Sequence, residues 1–145
     1  MTSPGRLEIV RKSPTVVLDA AHNPSGARAT ATAVTEAFDF SRLIGVVGVS
    51  DGKDAKGLLE AFEPLLAEVV VTRNSSERAM DADALAALAV EVFGEDRVQV
   101  EPRLDDALEA AVTLAEEEGE YSGGGVLVTG SVITVGEARL LLGRG

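Results

Sequence analysis

The chain has 145 residues, 46% of them hydrophobic, which is enough for one domain with a sizeable core and too little for two. Thirteen Lys and Arg against 24 Asp and Glu give a formal net charge of -11, which excludes nucleic acid or an anionic membrane as a partner held by general charge attraction. Zero Cys and one His exclude disulfides, thiol catalysis and a transition-metal cage, so no metal site is expected.

Residues 7–11 (Leu-Glu-Ile-Val-Arg) alternate in character and lead through Lys12-Ser13-Pro14 into the apolar run 15–18, which predicts an antiparallel hairpin. A helix follows over residues 24–38, with Ala27, Ala31, Val34 and Phe38 on one face. The run 43–49 reads as a strand, and Ala55, Leu58, Leu59 and Phe62 form the stripe of a second helix that Pro64 ends. Residues 69–72 form the next strand; Leu85, Leu88, Ala89 and Val92 mark a third helix, stopped by Gly94. A weaker strand at 97–100 precedes a fourth helix with Leu104, Ala107, Leu108, Ala111, Val112 and Ala115 inward. Glu116-Glu117-Glu118 at its end oppose the helix dipole, so fraying is expected there, and the acids read as a solvated face. The glycine-rich stretch 119–125 reads as a mobile surface loop, 126–129 as a strand, and the segment after Ser131, with Leu140 and Leu141, as a last helix.

Runs such as Val69-Val70-Val71 do not alternate, the mark of strands covered on both faces. Strand and helix take turns, so the fold class is α/β: a Rossmann-like, doubly wound, mostly parallel sheet with an antiparallel N-terminal strand and helices on both faces. No apolar run approaches the roughly 18 residues needed to span a bilayer. Met1-Thr2-Ser3-Pro4-Gly5-Arg6 has no hydrophobic signal core, and a soluble, cytoplasmic protein is expected.

Ligands of an open parallel sheet bind beyond the carboxyl ends of its strands. Polar residues gather at those places: Asp19, His22 and Asn23 after the second strand; Ser50 to Asp54, including Lys53, after the third; Arg73 to Ser76 after the fourth; Gly130 and Ser131 after the last. These clusters are expected along one edge. Asn23 suits an N-cap and Pro24 the first helical position, which puts His22 just outside a helix amino terminus, where the dipole disfavours a protonated imidazole. Asp19 is expected to face solvent with little packing on it, its oxygens suited to the paired hydroxyls of a ribose. Plainer readings stand beside these: His22 as a loop residue, Ser131 as the cap of the last helix, Lys53 and Arg73 as surface charges, and Asp81 and Asp83 as capping residues. Phosphate-binding glycine loops, the nucleophile elbow and zinc-protease signatures are missing, so the residues alone give a domain that binds a small polar or nucleotide-like molecule without a complete catalytic set.

Pro4-Gly5-Arg6-Leu7-Glu8, Leu18-Asp19-Ala20-Ala21-His22-Asn23-Pro24-Ser25-Gly26, Gly52-Lys53-Asp54, and Val128-Thr129-Gly130-Ser131 with Gly136-Glu137 resemble the carboxy-terminal domain of folylpolyglutamate synthase/dihydrofolate synthase, in the Mur ligase superfamily. The Thr-Gly-Ser ending and Arg78-Ala79 favour the folate branch. The resemblance implies that residues 1–145 are one such domain, separated from a larger ATP-dependent ligase and inactive alone. In that enzyme a folate or dihydropteroate carboxylate is phosphorylated by ATP, and L-glutamate attacks the acyl phosphate. Mg2+ and most of the ATP site belong to a central P-loop domain, and folate to an amino-terminal part. The resemblance further implies that Arg6 reaches ATP phosphates and stabilises the transferred charge, Asp19 the ribose, His22 and Ser131 the glutamate pocket, and Lys53 a substrate carboxylate, with Arg6 and His22 counted as the catalytic groups. Arg73 and Arg78 are edge residues. Alternatives are the matching domain of a peptidoglycan Mur ligase and a stand-alone nucleotide-binding module. Ala20 replaces a frequent Gly, and Val132-Ile133 lack the family's frequent aromatic residue.

Overall fold

A computed structural model of the chain describes residues 6–117, 119 and 123–143. Six strands form one sheet: β1 Glu8–Lys12, β2 Thr15–Leu18, β3 Arg42–Val47, β4 Glu68–Arg73, β5 Val98–Arg103 and β6 Gly124–Thr129. Five helices alternate with them: α1 Pro24–Ala37, α2 Ala55–Phe62, α3 Ala82–Phe93, α4 Leu104–Ala115 and α5 Val132–Leu142. The strand order is β1-β2-β6-β3-β4-β5, antiparallel only between β1 and β2. The expected doubly wound α/β sheet with its antiparallel first strand is what the chain forms.

Successive side chains of a strand point to opposite faces. Val17, Val47, Val69, Val71 and Leu127 therefore pack with Val34, Leu58, Leu59, Phe62 and Leu85 of α1 to α3. Their neighbours Val16, Leu18, Ile44, Val46, Val70, Val126 and Val128 pack with Leu104, Leu108, Ala111 and Val135 of α4 and α5. Burial of each such aliphatic side chain stabilises by roughly 1.5–3 kcal/mol, and two half-cores explain why the central strands read as unbroken apolar runs.

Two local differences from the expectation have physical causes. Gly124 and Gly125, placed in a loop by composition, begin β6. A Cβ on Gly124 would strike the Ala115 carbonyl, and one on Gly125 the Phe40 ring, so close packing requires these glycines. Residues 120–122 of that stretch, and residue 118 before it, lie outside the described residues. At the other edge, β5 extends to Arg103 through Pro102, which lacks an amide proton and is tolerated because nothing pairs beyond β5. Leu140 and Leu141 stay exposed, and α5 instead buries Thr134, Val135 and Ala138.

Candidate functional site

The connections after β2, β6, β3 and β4 leave four neighbouring strands at their carboxyl ends and meet on one edge. Main-chain bonds stitch them together. Gly130 N donates to the Ala21 carbonyl at 3.0 Å, Met80 N to Val49 O at 2.9 Å and Asp51 N to Arg78 O at 2.7 Å. The polar clusters that are far apart in sequence are thereby gathered on a single rim.

Asp19 follows the last residue of β2 and is 8% exposed. Its Oδ1 accepts the Ala21 amide at 3.1 Å and the Thr30 hydroxyl at 2.8 Å, and its Oδ2 accepts the Leu7 amide at 3.2 Å. The expectation of a solvent-facing carboxylate with little packing on it is therefore wrong: a charge at the end of a buried strand is held by three donors of its own chain. Of about four lone-pair positions on a carboxylate, three are taken, and the vacant one belongs to Oδ2.

Leu7 adopts φ 45°, a left-handed conformation uncommon for a residue with a side chain. Its amide bond to Asp19 and its packing on the core hold it there. Arg6, exposed and next in the chain, is thus carried to the rim beside Asp19.

His22 lies in the loop that ends at Asn23, whose side chain caps α1 by accepting the Gly26 amide at 2.7 Å, with Pro24 at the first helical position as expected. The His22 Nδ1 is 3.3 Å from the Ala20 carbonyl oxygen. A carbonyl only accepts, so this contact favours the tautomer with the proton on Nδ1 and leaves Nε2 as the acceptor.

Lys53 is exposed in the turn before α2, between Gly52 at φ 83° and Asp54, which caps α2 through the Gly57 amide at 2.9 Å. Arg6, Lys53, Arg73 and Arg78 form no ion pair among the described residues. These four cations share the rim loops with Asp51, Asp54 and Glu77, and on a chain of charge -11 they supply the local attraction an anion would need there.

Ser131 is 5% exposed. Its hydroxyl accepts the Thr134 amide at 3.0 Å as the cap of α5, accepts Asn74 Nδ2 at 3.3 Å and donates to Thr134 Oγ1 at 3.1 Å. The capping reading describes its contacts, and its hydroxyl has no proton left for a ligand. Asn74, 2% exposed, also donates to Thr134 Oγ1 at 3.0 Å and accepts the Ser76 amide at 2.9 Å, so it ties the β4 loop to α5. Glu137 adds a second tie, accepting the Ser75 amide at 3.1 Å and the Ser75 hydroxyl.

Sequence reasoning missed Thr30 and the work of Asn74. Thr30 stands three residues after Ala27 and four before Val34, so its place on the buried face was available from the spacing.

Residues 5–132 match the family described as "Mur ligase, glutamate ligase domain". The chain belongs to that family. It is 47% identical to the dihydrofolate synthase/folylpolyglutamate synthase of Mycobacterium tuberculosis over 99% of its own length, which is 31% of that protein. A bifunctional folylpolyglutamate synthase/dihydropteroate synthase of Halobacterium salinarum is 39% identical over 94% of the chain and 16% of its own length. The folylpolyglutamate synthase of Mycobacterium tuberculosis, solved with ADP and AMPPCP, superposes with TM-score 0.93 and 48% identity over all of this chain and 33% of that one. The Mur ligase domain described here thus spans about a third of the mycobacterial protein it matches.

Proposed function

We propose that this domain is the carboxy-terminal third of an ATP-dependent ligase that joins L-glutamate to dihydropteroate or folate. One observation carries the reading: Arg6, Asp19, His22 and Lys53 converge on the carboxyl edge of a domain 47% identical to the matching third of a dihydrofolate synthase/folylpolyglutamate synthase.

In the proposed reaction a pterin-linked carboxylate oxygen takes the γ-phosphoryl group of ATP and ADP leaves. The amine of glutamate then displaces phosphate and forms the amide. Mg2+ and the phosphate-binding loop belong to the rest of such an enzyme, and Mg2+ supplies charge neutralisation on the phosphates. The residues of this domain orient the reactants. Arg6 offers a guanidinium to the transferred charge, and its position is set by the bond from Leu7 to Asp19. Asp19 presents the vacant lone pair of Oδ2 to a ribose hydroxyl. His22 offers Nε2 as an acceptor to the glutamate side, where it orients the incoming amine. Lys53 faces a substrate carboxylate. Ser131 acts through the loop it caps, holding the Gly130 amide and its neighbours in place.

The test is a segment exchange. This chain replaces the matching third of the mycobacterial relative, and ligation of glutamate to dihydropteroate is followed with ATP. Product is expected from the exchanged enzyme and none from the 145-residue chain alone. Turnover by the chain alone, or an inactive but folded exchanged enzyme, overturns the reading.

A further inference from the structure

We infer that Thr30 is a positioning residue for nucleotide binding: it acts through Asp19, rests on the function proposed above, and touches no ligand itself. Thr30 is 6% exposed in the middle of α1, and the one proton of its hydroxyl is committed to Asp19. That hydroxyl donates to Asp19 Oδ1 at 2.8 Å, the shortest of the three bonds the carboxylate accepts. With the Ala21 amide it fills Oδ1. The remaining acceptor capacity is therefore confined to Oδ2, the oxygen that also holds the Leu7 amide.

This division of labour fixes the rotation of the carboxylate plane. Without the Thr30 hydroxyl, Oδ1 keeps only the neighbouring Ala21 amide, and the group can turn about its last side-chain bond. Turning takes Oδ2 away from both the Leu7 amide and an incoming ribose hydroxyl. Thr30 thereby sets two things at once: the direction of the vacant lone pair, and the anchoring of the segment that carries Arg6. A buried hydroxyl 11 residues from the carboxylate it serves joins α1 to the rim.

Valine keeps the shape of threonine without the hydroxyl, and serine keeps the hydroxyl. In the exchanged ligase, Thr30→Val is expected to raise KM for ATP about 5- to 20-fold, the scale of one lost hydrogen bond to a charged acceptor, and to lower kcat by a smaller factor through the loosened segment that carries Arg6, while KM for glutamate stays within about twofold. Thr30→Ser is expected to restore KM for ATP to within about twofold. Thr35→Val, on the same helix with its hydroxyl bonded only to the Ala31 carbonyl, serves as the control and is expected to change nothing. Hydrogen exchange of the Leu7 amide is read in parallel, and is expected to quicken in Thr30→Val and not in Thr35→Val. Asp19→Asn separates the two levels. If Asp19→Asn raises KM for ATP and Thr30→Val does not, the positioning role is overturned and the proposed function stands. If Asp19→Asn leaves KM for ATP unchanged, the ribose contact fails and the positioning role fails with it.

Discussion

The Ala21 carbonyl accepts the Gly130 amide at 3.0 Å, a bond that ties the loop after β2 directly to the turn after β6. Ala21 also gives its own amide to Asp19, so it is held from both sides and His22 projects from a fixed residue. Gly130 has φ 114°, and a Cβ there would collide with the Gly48 carbonyl. Gly130→Ala is expected to destabilise the domain by about 3 kcal/mol, from backbone strain plus the collision. Urea unfolding measures it; a loss below about 1 kcal/mol would show that the turn is not locked.

Asn74 makes the second tie across the rim. Replacing it by Ala leaves Ser131 and Thr134 short of a donor in a site that water does not reach. The expected loss is about 2–3 kcal/mol. Thermal unfolding of Asn74→Ala beside Ser131→Ala and the double variant tests it: coupling within one network makes the double loss smaller than the sum.

Away from the rim, Arg97 fastens the end of α2 to β5. Its guanidinium donates to the carbonyls of Glu63, Leu66 and Ala67 at 3.0, 2.7 and 3.1 Å, pairs with the Glu63 carboxylate at 2.8 Å and lies over the Phe93 ring. Lysine cannot reproduce a planar fork that serves several acceptors. Arg97→Lys is expected to cost about 1–2 kcal/mol, while leaving KM values of the exchanged ligase untouched. Equal stability of the two proteins in urea would contradict the role.

Arg103 and Asp105 give a pH signature at the start of α4. The hydrogen bond from Arg103 holds the Asp105 carboxyl below its ordinary value. A lowered carboxylate value contributes its full stability above the unfolded value, about 3.9, and the contribution is lost as pH falls from there through the folded one. Carbon-detected NMR titration should place Asp105 below a usual aspartate, and Arg103→Gln should return it upward. An unmoved Asp105 would contradict the pairing.

The sheet was legible because its strands are covered on both faces, which turns 15–18, 43–47 and 126–128 into apolar runs bounded by polar loops. The rim was legible for the same reason: in such a sheet every strand must end at the edge where loops can be polar. What stayed hidden depends on contacts between distant segments. Gly124 and Gly125 have loop composition, and only the proximity of Ala115 and Phe40 makes them strand residues. Spacing puts Thr30 on the buried face of α1, but only the carboxylate behind it shows what its hydroxyl does. Asp19 was found at the right place with the wrong exposure, because no local pattern announces that Leu7, Ala21 and Thr30 all turn donors toward it.

Differential hydrogen exchange of the exchanged ligase, with and without Mg2+-AMPPCP and glutamate, tests the central claim most directly, since it asks which edge of the sheet meets the ligands. Slower exchange is expected in peptides covering residues 6–23, 48–54 and 129–131. Slowing at the opposite edge, in residues 38–41 and 63–67, or at no residue of this domain, would contradict it.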